Sequence, residues 1–150
     1  MSEHPPIPPL APRGRLSVDR DELAAWGERF GRHAATPLVV ALRGDLGAGK
    51  TTLAQAICRG FGVAEPVTSP TYNLVHEYAA ERGTVYHLDL YRLEREDELT
   101  NLGWDDIVAS DALVIVEWPE RAGARLPGGH VPIDLEHVPG DETRRLLLAG

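Results

Sequence analysis

Lysine is almost absent from this 150-residue chain: Lys50 is the single one, and the other 14 of its 15 basic residues are arginine. A chain that otherwise always uses arginine places its one compact ammonium where a point charge is needed. The asparagine-lysine-x-aspartate signature that reads guanine is also missing, which counts against a GTPase. Cysteine is as scarce. Cys58 stands alone, so no internal disulfide is possible, and its neighbours Leu53, Ala54, Ala56 and Ile57 predict a buried, inert thiol. No histidine–cysteine cluster has zinc spacing. No apolar run approaches the ~20 residues of a spanning helix, and the N-terminus lacks a charged-then-apolar leader pattern. A cytoplasmic protein with no membrane and no disulfide-linked partner is the expectation. Positive charge is in deficit too: 15 basic residues against 23 acidic ones leave a net charge of −8. That balance argues against a broad electrostatic grip on nucleic acid and for a protein partner or a metal-bound phosphate.

What is present is a phosphate-loop pattern, Gly44-Asp45-Leu46-Gly47-Ala48-Gly49-Lys50-Thr51. Its glycines let backbone N–H groups turn inward around a phosphate. The Lys50 ammonium suits β/γ-phosphates, and the Thr51 hydroxyl suits Mg²⁺. The apolar run Leu38-Val39-Val40-Ala41-Leu42 predicts a buried strand before the loop, and Thr52 to Arg59 predicts a helix after it, stopped by Gly60. At 150 residues one domain is expected. Residues 1–12 carry five prolines and read as a disordered or extended tail, which leaves 13–150 as the folded unit.

Along the rest of the chain, Arg13 to Val18 reads as a short strand. Asp19 and Glu22 form a capping-box start to a helix over about 20–34, with Leu23, Trp26 and Phe30 on its apolar face. Ser69-Pro70-Thr71 predicts a turn leading to a strand through Tyr78. Ala80 to Gly83 predicts a hairpin turn, and Thr84 to Leu93 the return strand. On that strand a period of two sets His87, Asp89 and Tyr91 on one face, either a solvated face or an active-site wall. Glu94 to Leu102 reads as a charged helix and Trp104 to Ala109 as a further helical turn. Leu113-Val114-Ile115-Val116 predicts a core strand that delivers Glu117 to a metal at its C-terminal end. Trp118, next to it, could stack on a base or belong to the core rim. Val131 to Leu135 and Thr143 to Leu148 predict a closing antiparallel pair. Arg144 and Arg145 within it are within reach of phosphate or simply exposed. The hairpins imply a mixed parallel and antiparallel sheet.

Four blocks in order, Gly44 to Thr52, Ser69-Pro70-Thr71-Tyr72, His87-Leu88-Asp89-Leu90-Tyr91-Arg92 and Glu117-Trp118-Pro119, resemble the TsaE (YjeE) family from about residue 16 to the end. The resemblance implies an α/β, phosphate-loop NTPase-like three-layer domain. It implies a Mg²⁺-dependent ATPase, slow when isolated, that supports tRNA threonylcarbamoyladenosine modification as a nucleotide switch on TsaB and TsaD, with tRNA met through those partners. On this pattern Gly47, Ala48, Gly49, Lys50, Thr51 and Thr52 hold ATP. Thr51 and Glu117 ligate Mg²⁺, and Lys50 and Asp89 act on the reacting phosphate or its water. Ser69, Pro70 and Thr71 form the switch. Trp118 lies near the base, and Glu120 near the ligand. Two other readings stand beside it: a small-molecule phosphate-loop kinase with Arg121 or Arg125 on a lid, and a nucleotide-dependent binding module with incidental hydrolysis.

Overall fold

The computed structural model describes residues 15–67 and 74–149, so the proline-rich tail and Ser69-Pro70-Thr71 lie outside the described residues. In chain order the elements are β1 (Arg15–Asp19), α1 (Arg20–His33), β2 (Leu38–Arg43), α2 (Lys50–Phe61), β3 (Val75–Ala80), β4 (Gly83–Asp89), α3 (Glu98–Asn101), α4 (Trp104–Ala109), β5 (Ala112–Glu117), β6 (Val131–Val138) and β7 (Asp141–Ala149). A 3-10 segment over Pro119–Arg125, kinked at Gly123, joins β5 to the last pair.

The most apolar strands take the middle. β2 pairs in parallel with β5 on one side and β6 on the other, and β5 pairs in parallel with β4. The hairpin partners β3 and β7, and then β1, add on antiparallel at the edges, giving the order β1-β7-β6-β2-β5-β4-β3. β2 and β5 are buried along nearly their whole length because both sheet faces are covered. Trp26, Phe30, Leu53, Ile57, Phe61, Val85 and Ile115 share one core cluster under α1 and α2. Leu88, Leu90, Leu99, Trp104, Val114 and Val116 form a second under α3 and α4. Trp26 and Cys58 are fully buried, as their apolar settings predict.

α1 starts where the capping box sets it. Asp19 Oδ1 accepts from the Glu22 N–H at 2.8 Å, and Glu22 Oε1 accepts from the Asp19 N–H at 2.9 Å. Such a cap contributes about 1 kcal/mol. It also fixes the helix start at the rim of the cleft described below.

Of the boundaries that differ from the sequence expectation, three have a visible local cause. α2 runs from Lys50 through Gly60 to Phe61, and Gly62, with a left-handed φ of 105°, ends it. Gly60 is a contact residue, not a stop: a methyl there would sit 2.1 Å from the Glu28 carbonyl oxygen. Gly31 on α1 answers it, with a methyl 2.1 Å from the Ile57 carbonyl oxygen, so α1 and α2 meet backbone against backbone. β4 stops at Asp89 instead of Leu93, because the Asp89 carboxylate accepts the Tyr91 N–H at 3.0 Å and turns the chain. The charged helix shrinks to Glu98–Asn101. Glu98 Oε1 accepts the N–H groups of Glu94 at 3.2 Å and Arg95 at 3.0 Å, which holds the preceding residues in a turn.

Candidate nucleotide site

Parallel pairing brings the ends of three strands to one level. Leu42 on β2 registers with Glu117 on β5, and Glu117 registers with Asp89 on β4. The glycine loop leaves β2 two residues later, so its contents sit beside both carboxylates. This is the carboxyl edge of the parallel strands, where α/β sheets hold ligands. Gly44 has φ 155°, and a side chain there would strike the Leu135 carbonyl oxygen at 2.6 Å, so only glycine passes under β6. Gly49, at φ 105°, delivers the chain into α2 without a side-chain cap, and the first turn of α2 holds no acidic residue. The leading N–H groups of such a helix lack intrahelical partners and attract an anion. α1, with its cap and with Asp21 and Glu22 in its first turn, shows the opposite design.

Lys50 is buried, and its Nζ donates to the Gly44 carbonyl and to the Asp45 carbonyl at 3.1 Å. The ammonium lies 3.9 Å from the Trp118 ring centroid. Burial pulls the Lys50 pKa down, opposed by the charges of Glu117, Glu120, Asp89 and Asp45. Trp118 reaches this place from a left-handed backbone, φ 58°, the one positive φ at a non-glycine position among the described residues. That conformation costs about 1–2 kcal/mol, and such strain gathers at functional sites. Tyr91 packs on the same indole, with ring centroids 5.0 Å apart.

Glu117 is 2% exposed. Its Oε1 and Oε2 lie 3.4 and 3.5 Å from Thr51 Oγ1, and His87 Nε2 donates to Oε2 at 2.6 Å. A carboxylate can only accept, so the proton of that bond sits on Nε2. Oxygen donors this close suit a small hard cation, since adjacent ligands on an octahedral Mg²⁺ with ~2.1 Å bonds lie roughly 3 Å apart. Among the described residues no group of three or more histidine, cysteine or acidic side chains converges as a self-sufficient metal cage. Asp89 is half-buried, and its pKa is raised, chiefly by burial and further by Glu117; the Tyr91 N–H, His87 and Lys50 oppose the rise.

Residues 45–52 together with Asp89, Tyr91, Glu117 and Trp118 line one cleft of about 880 Å³. Family comparison says what kind of chain carries it. The model of the family described as threonylcarbamoyl adenosine biosynthesis protein TsaE matches residues 17–146. The chain belongs to the TsaE family. It is 38% identical over 131 residues to the tRNA threonylcarbamoyladenosine biosynthesis protein TsaE of Nostoc sp., spanning 85% of this chain and 79% of that one. It is 35% identical over 135 residues to the protein of the same name from Haemophilus influenzae, spanning 87% and 84%. The crystal structure of Bacillus subtilis YdiB superposes with a TM-score of 0.70 at 28% identity, covering 91% of this chain and 85% of that one. The fold is therefore that of a phosphate-loop NTPase with a mixed sheet, and the family role lies in threonylcarbamoyladenosine biosynthesis.

Within the cleft the structure gathers Gly47, Ala48, Gly49, Lys50, Thr51, Thr52, Asp89, Glu117 and Trp118. Glu120 stands apart: it is exposed on the 3-10 segment, outside the cleft wall, although its charge is felt at Lys50 and Arg43. Arg121 and Arg125 face away from the cleft. Arg121 donates to the Leu93 carbonyl, and Arg125 bonds the Glu96 carbonyl, Thr100 and Asp105. Of the far wall, sequence reasoning offered only Arg145, as within reach of phosphate or simply exposed; it missed Asp19, Arg20, Asp21 and Leu23 at the start of α1 and Glu142 and Thr143 on β7. Arg145 Nη2 donates to the Gly47 carbonyl at 3.1 Å, so β7 holds the loop from that side. Arg144 instead bonds Ser17 and Glu22. No local signal separates these two arginines; only the β1-β7-β6-β2 order does.

Proposed function

We propose that this TsaE-family chain is a Mg²⁺-dependent ATPase whose nucleotide state is read by TsaB and TsaD, with tRNA reached through them. The observation that carries the reading is the meeting of Thr51 and Glu117 oxygens beside Lys50, with Asp89 in register next to Glu117. The loop and the uncapped start of α2 bind the phosphates. Lys50 exchanges the Gly44 and Asp45 carbonyls for β/γ-phosphate oxygens. Mg²⁺, held by Thr51 and Glu117, would supply further neutralisation of phosphate charge. Asp89 orients the attacking water and takes its proton as the new O–P bond forms and the bond to the β-phosphate oxygen breaks. Its raised pKa makes it a better proton acceptor than an ordinary aspartate. The carboxylates and Lys50 mark the γ-phosphate end. Leu23, Thr143 and Arg145 therefore face the ribose and base, and Trp118 covers the phosphate end.

Among the described residues the arginines that line the cleft are Arg20 and Arg145, both on its far wall. The isolated chain is thus expected to turn over slowly, since a charge delivered in trans is worth about 10³–10⁵ in rate in related phosphoryl transfers. The test is ATP turnover with and without TsaB and TsaD, alongside co-purification in ATP, ADP or no nucleotide. Stimulated turnover with nucleotide-dependent association supports the proposal. Equal association in all three states refutes the switch, and association that needs ATP but no turnover leaves a binding module.

A further inference from the structure

His87 carries more chemistry than a strand-face polar residue needs. It sits on β4 two residues before Asp89, is fully buried, and pairs across the sheet with Ile115, two residues before Glu117. Its ring reaches forward so that Nε2 meets Glu117 Oε2 at 2.6 Å. Nδ1 has no partner among the described residues, so the ring's whole hydrogen-bonding capacity goes to this carboxylate. The natural competitor for a buried Glu117 is Lys50, which feels its charge more strongly than any other carboxylate's. Yet the two form no ion pair within 4 Å among the described residues, and Oε1 lies 3.4 Å from the Thr51 hydroxyl.

We infer that His87 is a positioning residue: it clamps Glu117 Oε2, keeps the carboxylate off Lys50, and presents Oε1 beside Thr51 toward the cation position. This rests on the proposed reading of Glu117 as a Mg²⁺ ligand. Outer-shell partners of this kind are typically worth 10–100-fold in metal affinity.

The experiment measures ADP binding by titration calorimetry in MgCl₂ and in EDTA; the ratio of the two affinities is the Mg²⁺ gain. His87→Leu is expected to bind ADP in EDTA within about twofold of wild type while its Mg²⁺ gain falls by about 10–100-fold. His87→Gln, which keeps a donor, recovers most of the gain, and Glu117→Gln has none. Full gain in His87→Leu, or an equal loss with and without Mg²⁺, overturns the inference while leaving Glu117 as a ligand. Full gain in Glu117→Gln overturns the ligand reading itself. Nitrogen NMR of histidine-labelled wild-type protein needs no variant. It is expected to show His87 protonated on Nε2 both free and with Mg²⁺–ADP, and a bare Nε2 in either form overturns the clamp.

Discussion

Asp89→Asn should make the nucleotide-free protein more stable while disabling it. In register on adjacent parallel strands, Asp89 and Glu117 stand one strand spacing apart, roughly 4.8 Å, at a half-buried edge. Like charges set opposite each other in a sheet are destabilising, on the scale of roughly 0.2–1 kcal/mol that cross-strand pairs span, and partial burial adds a desolvation cost. Against this, the Asp89 carboxylate accepts the Tyr91 N–H. Asparagine keeps that bond through its own oxygen and loses only the charge assistance, about 0.5–1 kcal/mol. The balance is given by the direction of the pKa, which is raised: the fold prefers the neutral group. With solvent screening at this partly exposed site, the expected gain is about 1 kcal/mol, or roughly 2–4 °C in Tm at this chain length. The pH dependence has a definite sign. A carboxyl whose folded pKa exceeds its unfolded value of about 3.9 binds more protons when folded. It lowers stability as pH rises through the interval between the two values, and the cost persists above it. The advantage of Asp89→Asn should therefore shrink as pH falls and vanish below about pH 3.9, where Asp89 is neutral in both states. Thermal melts of both proteins in EDTA across that range test this. A lower Tm for the variant at pH 7, or a gain that does not fade with acid, would refute the reasoning. ATP turnover by the variant should fall by about 10²–10⁴, the typical worth of a positioned base.

Lys50→Ala should weaken ATP binding by about 10–100-fold, since hydrogen bonds to a charged group contribute about 1.5–3 kcal/mol; unchanged affinity by calorimetry would remove the loop from nucleotide binding. Glu117→Ala should flatten the Mg²⁺ dependence of turnover, and an unchanged Mg²⁺ titration would take Glu117 out of the metal shell. Gly60→Ala gains about 1 kcal/mol in helix propensity but drives a methyl to 2.1 Å from the Glu28 carbonyl oxygen. Overpacking against backbone at about 1–3 kcal/mol should win, lowering Tm by several degrees, and a raised Tm would show that α1 and α2 separate freely.

The near wall of the cleft was legible in the chain because each of its parts is local. The loop is a contiguous pattern, Glu117 ends an apolar run, and the alternation of His87 and Asp89 needs only a strand period. The capping box at Asp19 and Glu22 was equally local and formed as read. Gly60 was misread for the converse reason. In sequence it is indistinguishable from a helix stop, and only the approach of α1 makes it a spacer.

The far wall follows the same logic. Arg144 and Arg145 are adjacent on one strand, and alternation alone says merely that they point opposite ways. Which of them meets the phosphate loop depends on β7 lying between β6 and β1, a long-range pairing. In that order Arg145 turns inward to the Gly47 carbonyl, while Arg144 turns to the α1 cap at Glu22. The two bonds tie the loop and the start of α1, the two sides of the far end of the cleft, to a single strand. The single lysine begins this site, but the last strand finishes it.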